Sequence, residues 1–207
     1  LLLTAPGTPY MLQGEELGMT DVRFDRIEDY NDIGTVNRYR VLVADEGMAP
    51  AAALAQVQVD SRDNARTPMQ WNAAPGAGFT SGRPWLGLNP NHRQINAEAA
   101  VADCDSVFHA YRQLIRLRRE HPVLIYGDFE PLRTGVPDVF AFRRRLDDEC
   151  VVVLLNWSGN KAELPASPEF AEAPGGRLFG THAGDTGAAL APWEARVFHP
   201  GQSDKTK

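Results

Sequence analysis

The sequence has 207 residues, of which 43% are hydrophobic, and its formal net charge is -6. This composition suits one large or two small globular domains with a packed core, and the acidic balance argues against nucleic acid as a partner. No apolar run approaches the roughly 20 residues that span a bilayer, so we predict no membrane partner. The two cysteines, Cys104 and Cys150, resemble neither a disulfide framework nor a zinc ligand set. We therefore expect a reducing, cytoplasmic setting, with no metal and no cofactor.

The first predicted element is a buried strand at residues 8–13, an aromatic and apolar run with a proline near its start. The adjacent carboxylates Glu15 and Glu16 follow this strand and are candidates for a general acid and base pair or for contacts with a substrate. Because consecutive residues that leave a strand point to opposite sides, at most one of the two can face a site. In the alternative interpretation, one of them caps a helical turn or pairs with an arginine.

Between this strand and the next strong helix lie roughly 90 residues, whereas such connections usually take 2–6. Residues 27–43 show mixed helical periodicity, residues 49–56 are rich in alanine and weakly helical, and residues 73–96 are dense in Gly, Pro and Asn. Aromatic residues occur along this stretch. We interpret it as an ordered, functional insertion rather than a linker.

Within the insertion, residues 61–71 (SRDNARTPMQW), called the 61–71 segment below, concentrate polar and aromatic groups. The guanidiniums of Arg62 and Arg66 offer rigid forks of donors, and Trp71 offers a flat apolar face, which together suit the hydroxyls and C–H faces of a sugar ring. A second interpretation is an ordinary ion-paired loop in which Asp63 pairs with an arginine and Trp71 fills a gap in the core. Both interpretations remain open at this point.

An amphipathic helix is predicted at residues 105–120 and ends before Pro122. After Pro122 the sequence consists of short β-like runs separated by turn signals. This pattern predicts a small antiparallel β-sandwich or Greek-key sheet. The runs are residues 123–129, 139–145, 150–157, 161–164, 177–179 and 190–198. We interpret the basic triplet Arg143-Arg144-Arg145 as a solvated strand edge rather than a binding patch.

Five segments in a fixed order resemble oligo-1,6-glucosidases and α-glucosidases of the α-amylase superfamily. They are residues 7–20 (GTPYMLQGEELGMT), 30–37 (YNDIGTVN), the 61–71 segment, 78–80 (GFT) and 82–85 (GRPW). The resemblance implies an α/β fold: the carboxy-terminal part of a (β/α)8 barrel, with strand eight at residues 8–13, the long insertion and the last barrel helix. An antiparallel β-sandwich domain then follows. The implied boundaries are residues 1–121 for the barrel portion, 122–200 for the β domain and 201–207 for a disordered tail.

The same resemblance implies roles for individual residues. Arg66 would fix the non-reducing terminal glucose, Arg62 is the second choice, and Glu15 and Glu16 complete the candidate substrate-binding residues. The family's three catalytic carboxylates lie on barrel strands four, five and seven, so we expect no catalytic residue in this chain. We expect the chain to be a fragment, inactive alone, of an enzyme that works by the retaining double-displacement mechanism.

The implied function is an exo-acting α-glucosidase that releases glucose from the non-reducing ends of short α-linked oligosaccharides. The expected partners are such an oligosaccharide and the upstream barrel portion of the same protein. Trehalose-6-phosphate hydrolase, sucrose isomerase and trehalose synthase remain alternatives, and alternatives of another class are a non-catalytic barrel scaffold or a carbohydrate-binding module. One departure is Gly34, where oligo-1,6-glucosidases often carry an acidic residue, which leaves the linkage preference open.

Overall fold

The computed structural model describes residues 1–182 and 189–200. Contacts divide the chain into two compact units. One unit, here the insertion unit, is Met11–His109, and the other, here the β unit, joins Leu1–Tyr10 to the chain from Ala110 onward. The boundary predicted between residues 121 and 122 stays a prediction, and the predicted tail at residues 201–207 lies outside the described residues.

The insertion unit is built on three short helices: α1 (Ile33–Arg40), α2 (Pro50–Val59) and α3 (Ala97–Ala102). Each starts with a recognised signal. The side chains of Asp32 and Asn96 accept hydrogen bonds from backbone amides at the starts of α1 and α3, and Pro50 occupies the first turn of α2. The helices predicted within residues 27–43 and 49–56 are thereby confirmed.

A small apolar core and several single turns complete this unit. Leu42, Ala53 and Val57 are buried together, with Tyr39 and Met48 packed against them. A π-helical turn at Val41–Asp45 extends α1. The 3-10 turns are Glu15–Leu17, Ile27–Asp29, Arg62–Ala65, Pro75–Gly78 and Pro90–Arg93.

The strand predicted at residues 8–13 is not formed. In the part of the chain that the structure describes, the first strand begins at Asp128. A strand requires a hydrogen-bonded neighbour, and a parallel barrel strand requires one that lies far away in sequence. A buried-strand pattern therefore does not produce a strand here, because the described residues supply no partner for it.

The β unit contains helix α4 (Val107–Glu120), which begins in the insertion unit, and the one-turn helix α5 (Val123–Tyr126). Helix α4 confirms the helix predicted at residues 105–120. Of the run at residues 123–129, predicted as a strand, residues 123–126 form α5 instead and residues 128–129 belong to β1. The Pro122 backbone is helical, and its carbonyl accepts the amides of Ile125 and Tyr126, so local turn bonds replace strand pairing.

Seven strands form two antiparallel sheets in the described part of this unit. They are β1 (Asp128–Leu132), β2 (Val139–Leu146), β3 (Glu149–Asn156), β4 (Ala162–Glu163), β5 (Glu172–Gly180), β6 (Ala189–Leu190) and β7 (Ala195–Pro200). The larger sheet has the order β1-β2-β3-β7-β5, and β4 pairs with β6. The run predicted as one strand at residues 190–198 divides into β6 and β7, because a turn intervenes in which the Glu194 side chain accepts the Ala191 amide.

The larger sheet is covered on both faces. On one face Phe142, Val153 and Val197 pack with Leu117 of α4 and Leu124 of α5. On the other face, alternate residues of β2 and β3 and Phe198 of β7 pack with residues of β4 and β6 and with Phe170 in the 3-10 turn Pro168–Phe170. The alternation of side chains along β3 explains how one continuous apolar strand serves both cores. No helix in the described ranges is long and apolar enough for a membrane span.

Two buried arginines fasten the first residues of the chain to the rest of the β unit. Arg118 and Arg144 donate mainly to backbone carbonyls, and no carboxylate pairs with either in the described residues. The acceptors are Leu3, Ala5, Gly7 and Leu124 for Arg118, and Thr4, Leu124, Gly127 and Asp128 for Arg144. Burial lowers the pKa of both guanidiniums, and the charge of Arg118 lowers the pKa of Arg144 further.

The interpretation of Arg143-Arg144-Arg145 as a solvated strand edge is wrong for the middle residue. Arg144 is fully buried, whereas Arg145 is exposed and Arg143 pairs with Glu130 at 2.7 Å. Because side chains alternate along β2, the middle residue faces α5 and the other two face away. A run of three like charges therefore divides between the core and the surface.

Candidate functional site

The 61–71 segment is organised around one buried acid. Asp63 lies in the 3-10 turn Arg62–Ala65, which Ser61 caps by accepting the Asp63 amide at 3.3 Å. The Asp63 side chain has no solvent exposure. Its Oδ2 accepts the backbone amides of Asn31 at 2.6 Å and Asp32 at 2.8 Å. Asp63 thus ties the segment to the start of helix α1.

The guanidinium of Arg66 lies over two carboxylates. Its Nη1 is 3.6 Å from Oδ1 of Asp63 and 3.9 Å from Oδ1 of Asp32. Both distances suit ion pairs but exceed hydrogen-bond length, and Oδ1 of Asp63 accepts no hydrogen bond from the described residues. The Arg66 side chain is 42% exposed. Charge therefore orients Arg66, while its donors stay accessible to hydroxyl groups of a ligand.

Asp32 is held ionised beneath Arg66. Burial alone would raise the pKa of this carboxyl, but the hydroxyl and amide of Thr35 both donate to its Oδ2, at 2.8 Å and 3.0 Å. The positive charges of Arg62 and Arg66 act in the same direction, and the net effect lowers the pKa of Asp32. Arg62 therefore contributes through its charge to the carboxylate that faces Arg66, although its own side chain is exposed.

The two glutamates differ in their surroundings. Glu16 accepts the Gly14 amide at 2.8 Å, which is the local turn-capping role allowed by the sequence. Glu15 lines a cavity of about 280 Å³ within the insertion unit. The cavity is also lined by Gln13, Thr20, Ser61, Asn64, Thr67 and Met69. The structure therefore groups Glu15 with one side of the 61–71 segment and gives Glu16 a local structural contact.

The end of the 61–71 segment presents an aromatic surface on a fixed backbone. The backbone of Trp71 donates to Ala77 and accepts from Glu98, and the preceding Gln70 is buried with its amide donating to Asn91 at 3.0 Å. The Trp71 side chain is nevertheless 50% exposed. It does not fill a core gap, so the alternative assigned to it from the sequence is wrong.

Asp32 was missed as a site residue by the sequence reasoning. The available signal was local: an aspartate directly before a helix start is an N-cap pattern. That pattern predicts an ordered carboxylate at position 32 but does not indicate a neighbour at position 66. Only the fold brings Asp32, Asp63 and Arg66 together, because Asp63 binds the amides at the start of α1.

Comparisons with known proteins cover most of the chain. The family model "Alpha amylase, catalytic domain" matches residues 1–127. Oligo-1,6-glucosidase of Parageobacillus thermoglucosidasius is 40% identical over 197 residues, which cover 93% of this chain and 35% of that protein. Trehalose-6-phosphate hydrolase of Escherichia coli is 44% identical over 152 residues, which cover 73% of this chain and 27% of that protein.

Solved structures of related enzymes also match this chain. Trehalose-6-phosphate hydrolase of Bacillus licheniformis matches with a TM-score of 0.86 and 35% identity, covering 97% of this chain and 37% of that one. A trehalulose synthase matches with a TM-score of 0.83 and 35% identity, covering 96% of this chain and 36% of that one. The chain thus spans about a third of the length of the curated relatives it matches.

Proposed function

Because the chain belongs to the α-amylase catalytic-domain family, we propose that it forms part of a retaining, exo-acting α-glucosidase. The whole enzyme releases glucose from the non-reducing ends of short α-linked oligosaccharides. This chain supplies substrate-binding residues, and we assign the catalytic carboxylates to the rest of the protein. Within the chain, Arg66 binds the terminal glucose, Arg62 is the second choice, and Glu15 and Glu16 are the remaining candidates.

The position of Arg66 is the observation that carries this proposal. Two carboxylates that are nearly or fully buried hold the guanidinium, and the side chain is still 42% exposed. A guanidinium that is oriented by charge and keeps its donors accessible suits the hydroxyls of a sugar ring. The half-exposed Trp71 adds an apolar surface on the same segment.

The proposal also extends to which oligosaccharide the enzyme cleaves. Several of the relatives are named oligo-1,6-glucosidases, which supports short α-1,6-linked glucosides as substrates. Gly34 bears on this choice, because a side chain there would begin 3.2 Å from Oδ2 of Asp32. An acidic residue at this position would therefore add a second carboxylate beside Asp32, and the glycine leaves the linkage preference open.

Trehalose-6-phosphate hydrolysis is the second candidate, favoured by the 44% identity to the Escherichia coli enzyme of that name. The two candidates differ in whether the substrate carries a phosphate.

We also propose a cytoplasmic location, which is supported by the unpaired Cys104 and Cys150. The proposed partners are a short oligosaccharide and the remainder of the barrel.

The direct test uses the full-length protein that contains this chain. Initial rates on isomaltose, maltose, sucrose and trehalose-6-phosphate are compared at equal concentration, and the anomer of the released glucose is followed by NMR. We expect isomaltose to be cleaved fastest, with α-glucose as the first product, because a retaining enzyme preserves the anomeric configuration. A preference for trehalose-6-phosphate would replace the first candidate with the second. No turnover of any of these sugars would favour the non-catalytic scaffold.

A further inference from the structure

Two histidines and a glutamate converge on the surface of the β unit. They are His121, just after helix α4, Glu149, at the start of β3, and His199, near the end of β7. One potential ligand atom from each residue lies within 4.8 Å of the other two. The imidazole of His121 is hydrogen-bonded through Nδ1 to Oε1 of Glu149 at 2.6 Å. Nothing in the proposed glucosidase function uses this cluster.

The orientation of His199 fits a metal ligand. Its Nδ1 lies 2.9 Å from the carbonyl oxygen of Cys150, so this nitrogen carries the proton and donates it. The lone pair of the neutral ring is then on Nε2. Metal-binding histidines usually donate their second nitrogen to a carbonyl or carboxylate in this way, which fixes both tautomer and ring orientation. The hydrogen bond that this role requires is therefore already formed.

The exposure of these side chains and the spacing of their ligand atoms also suit a metal ion. The side chains of His121 and Glu149 are 23% and 30% exposed, so a cation can enter from solvent. Zinc bonds of about 2.0–2.2 Å in tetrahedral geometry place ligand atoms roughly 3.3 Å apart. The three ligand atoms now lie within 4.8 Å of one another, so ion binding requires them to move closer together. Two imidazoles and one carboxylate, with a fourth position for water, form a ligand set that zinc accepts.

We propose that His121, Glu149 and His199 form a site for a divalent transition metal ion of the zinc class. The ion clamps the end of α4 to the start of β3 and the end of β7. Glu149 ligates as a carboxylate and each histidine through the unprotonated nitrogen of a neutral imidazole, so all three ligands offer lone pairs. The site lies outside the proposed sugar-binding segment, so its expected effect is on the stability of the β unit. The alternative, a simple His–Glu hydrogen bond beside a second histidine, is an outcome of the test.

The test is zinc titration of the full-length protein after treatment with a chelator and buffer exchange. Isothermal titration with zinc chloride compares wild type with His199→Gln, Glu149→Gln and the control His182→Gln. His182 is an exposed histidine bonded to Thr181, so its replacement leaves the cluster intact. We expect loss of one bound zinc ion, or at least about tenfold weaker binding at one site, in the two cluster variants only. Magnesium, which prefers oxygen ligands, should not compete.

A second measurement is independent of stoichiometry. Zinc should raise the melting temperature of wild type and His182→Gln by a few degrees, because a ligand that binds only the native state stabilises it. The same addition should leave His199→Gln unchanged, and circular dichroism without zinc checks that this variant is folded. Equal zinc binding by wild type and both cluster variants would overturn the proposal. Absence of binding at micromolar zinc would overturn it as well.

Discussion

The guanidinium of Arg66 lies 3.6 Å from the carboxylate of Asp63, which is completely buried and also binds the first backbone amides before helix α1. One acid therefore orients an exposed base and fastens two parts of the insertion unit that are about 30 residues apart in sequence. This coupling separates two effects of mutation. Changes at Arg66 should act on substrate binding, whereas changes at Asp63 should act first on folding.

Replacing Arg66 by alanine in the full-length enzyme should lower kcat/KM for isomaltose by about 10- to 100-fold, the effect of losing a charge-assisted hydrogen bond to substrate. Steady-state kinetics measure this change. Arg38→Ala is a matched control, because Arg38 is similarly exposed and paired with Glu46 at 2.7 Å. Equal activity of the Arg66 and Arg38 variants would remove Arg66 from the sugar site.

Asp63→Ala should destabilise the insertion unit by about 2–4 kcal/mol, because the amides of Asn31 and Asp32 lose their acceptor. Asp63→Asn retains a carbonyl oxygen that can accept these bonds and should lose about half as much stability. Hydrogen exchange at the two amides and urea unfolding provide the readouts. Unchanged exchange in the alanine variant would show that Asp63 does not fasten the segment.

The stability conferred by Asp32 should depend on pH. Its folded-state pKa is lowered, so its contribution is fully present above the ordinary pKa of an aspartate, about 3.9, and is lost as the pH falls through the folded-state value. Thr35→Val removes the hydroxyl donor and should raise the pKa of Asp32. NMR titration of the Asp32 carboxyl carbon measures both values. An identical titration in the variant would mean that the hydroxyl does not stabilise the ionised form.

Arg144→Lys should destabilise the β unit by about 2–4 kcal/mol although the charge is kept. The planar guanidinium of Arg144 donates hydrogen bonds to backbone carbonyl oxygens through all three of its nitrogens. A lysine ammonium on a flexible stem cannot reach all of these oxygens. Arg145→Lys, at the exposed neighbouring position, is the control and should change stability by less than about 0.5 kcal/mol. Urea unfolding measures both variants, and similar midpoints would contradict the role assigned to Arg144.

Much of the fold could be predicted where the signal is local. Helix α4 follows from its amphipathic periodicity and the proline beyond its end, and the strands of the larger sheet follow from β-rich runs between turn signals. Prediction failed at residues 8–13 and at the run that became α5. In the first case a strand depends on distant partners, and in the second case bonds to the Pro122 carbonyl favour a turn.

Only part of the candidate site could be predicted from the sequence. Its chemistry was visible in the composition of the 61–71 segment, and the resemblance to α-glucosidases singled out Arg66. The pairing of Arg66 with Asp32 was not visible, because the two residues are 34 positions apart and only the hydrogen bonds of Asp63 bring them together. Likewise, His121, Glu149 and His199 show no ligand spacing in the sequence. They converge only because β3 pairs with β7 and the end of α4 packs nearby.

The sequence by itself determined the family, the polar and aromatic character of residues 61–71 and the change to β structure after Pro122, because periodicity, turn residues and short motifs act over a few neighbouring positions. Tertiary structure alone decided that Arg144 is buried between exposed neighbours, that Glu15 lines a cavity while Glu16 caps a turn, and that Arg66 lies above two carboxylates. These outcomes depend on which distant backbone groups fold back against each side chain, and no local pattern specifies that.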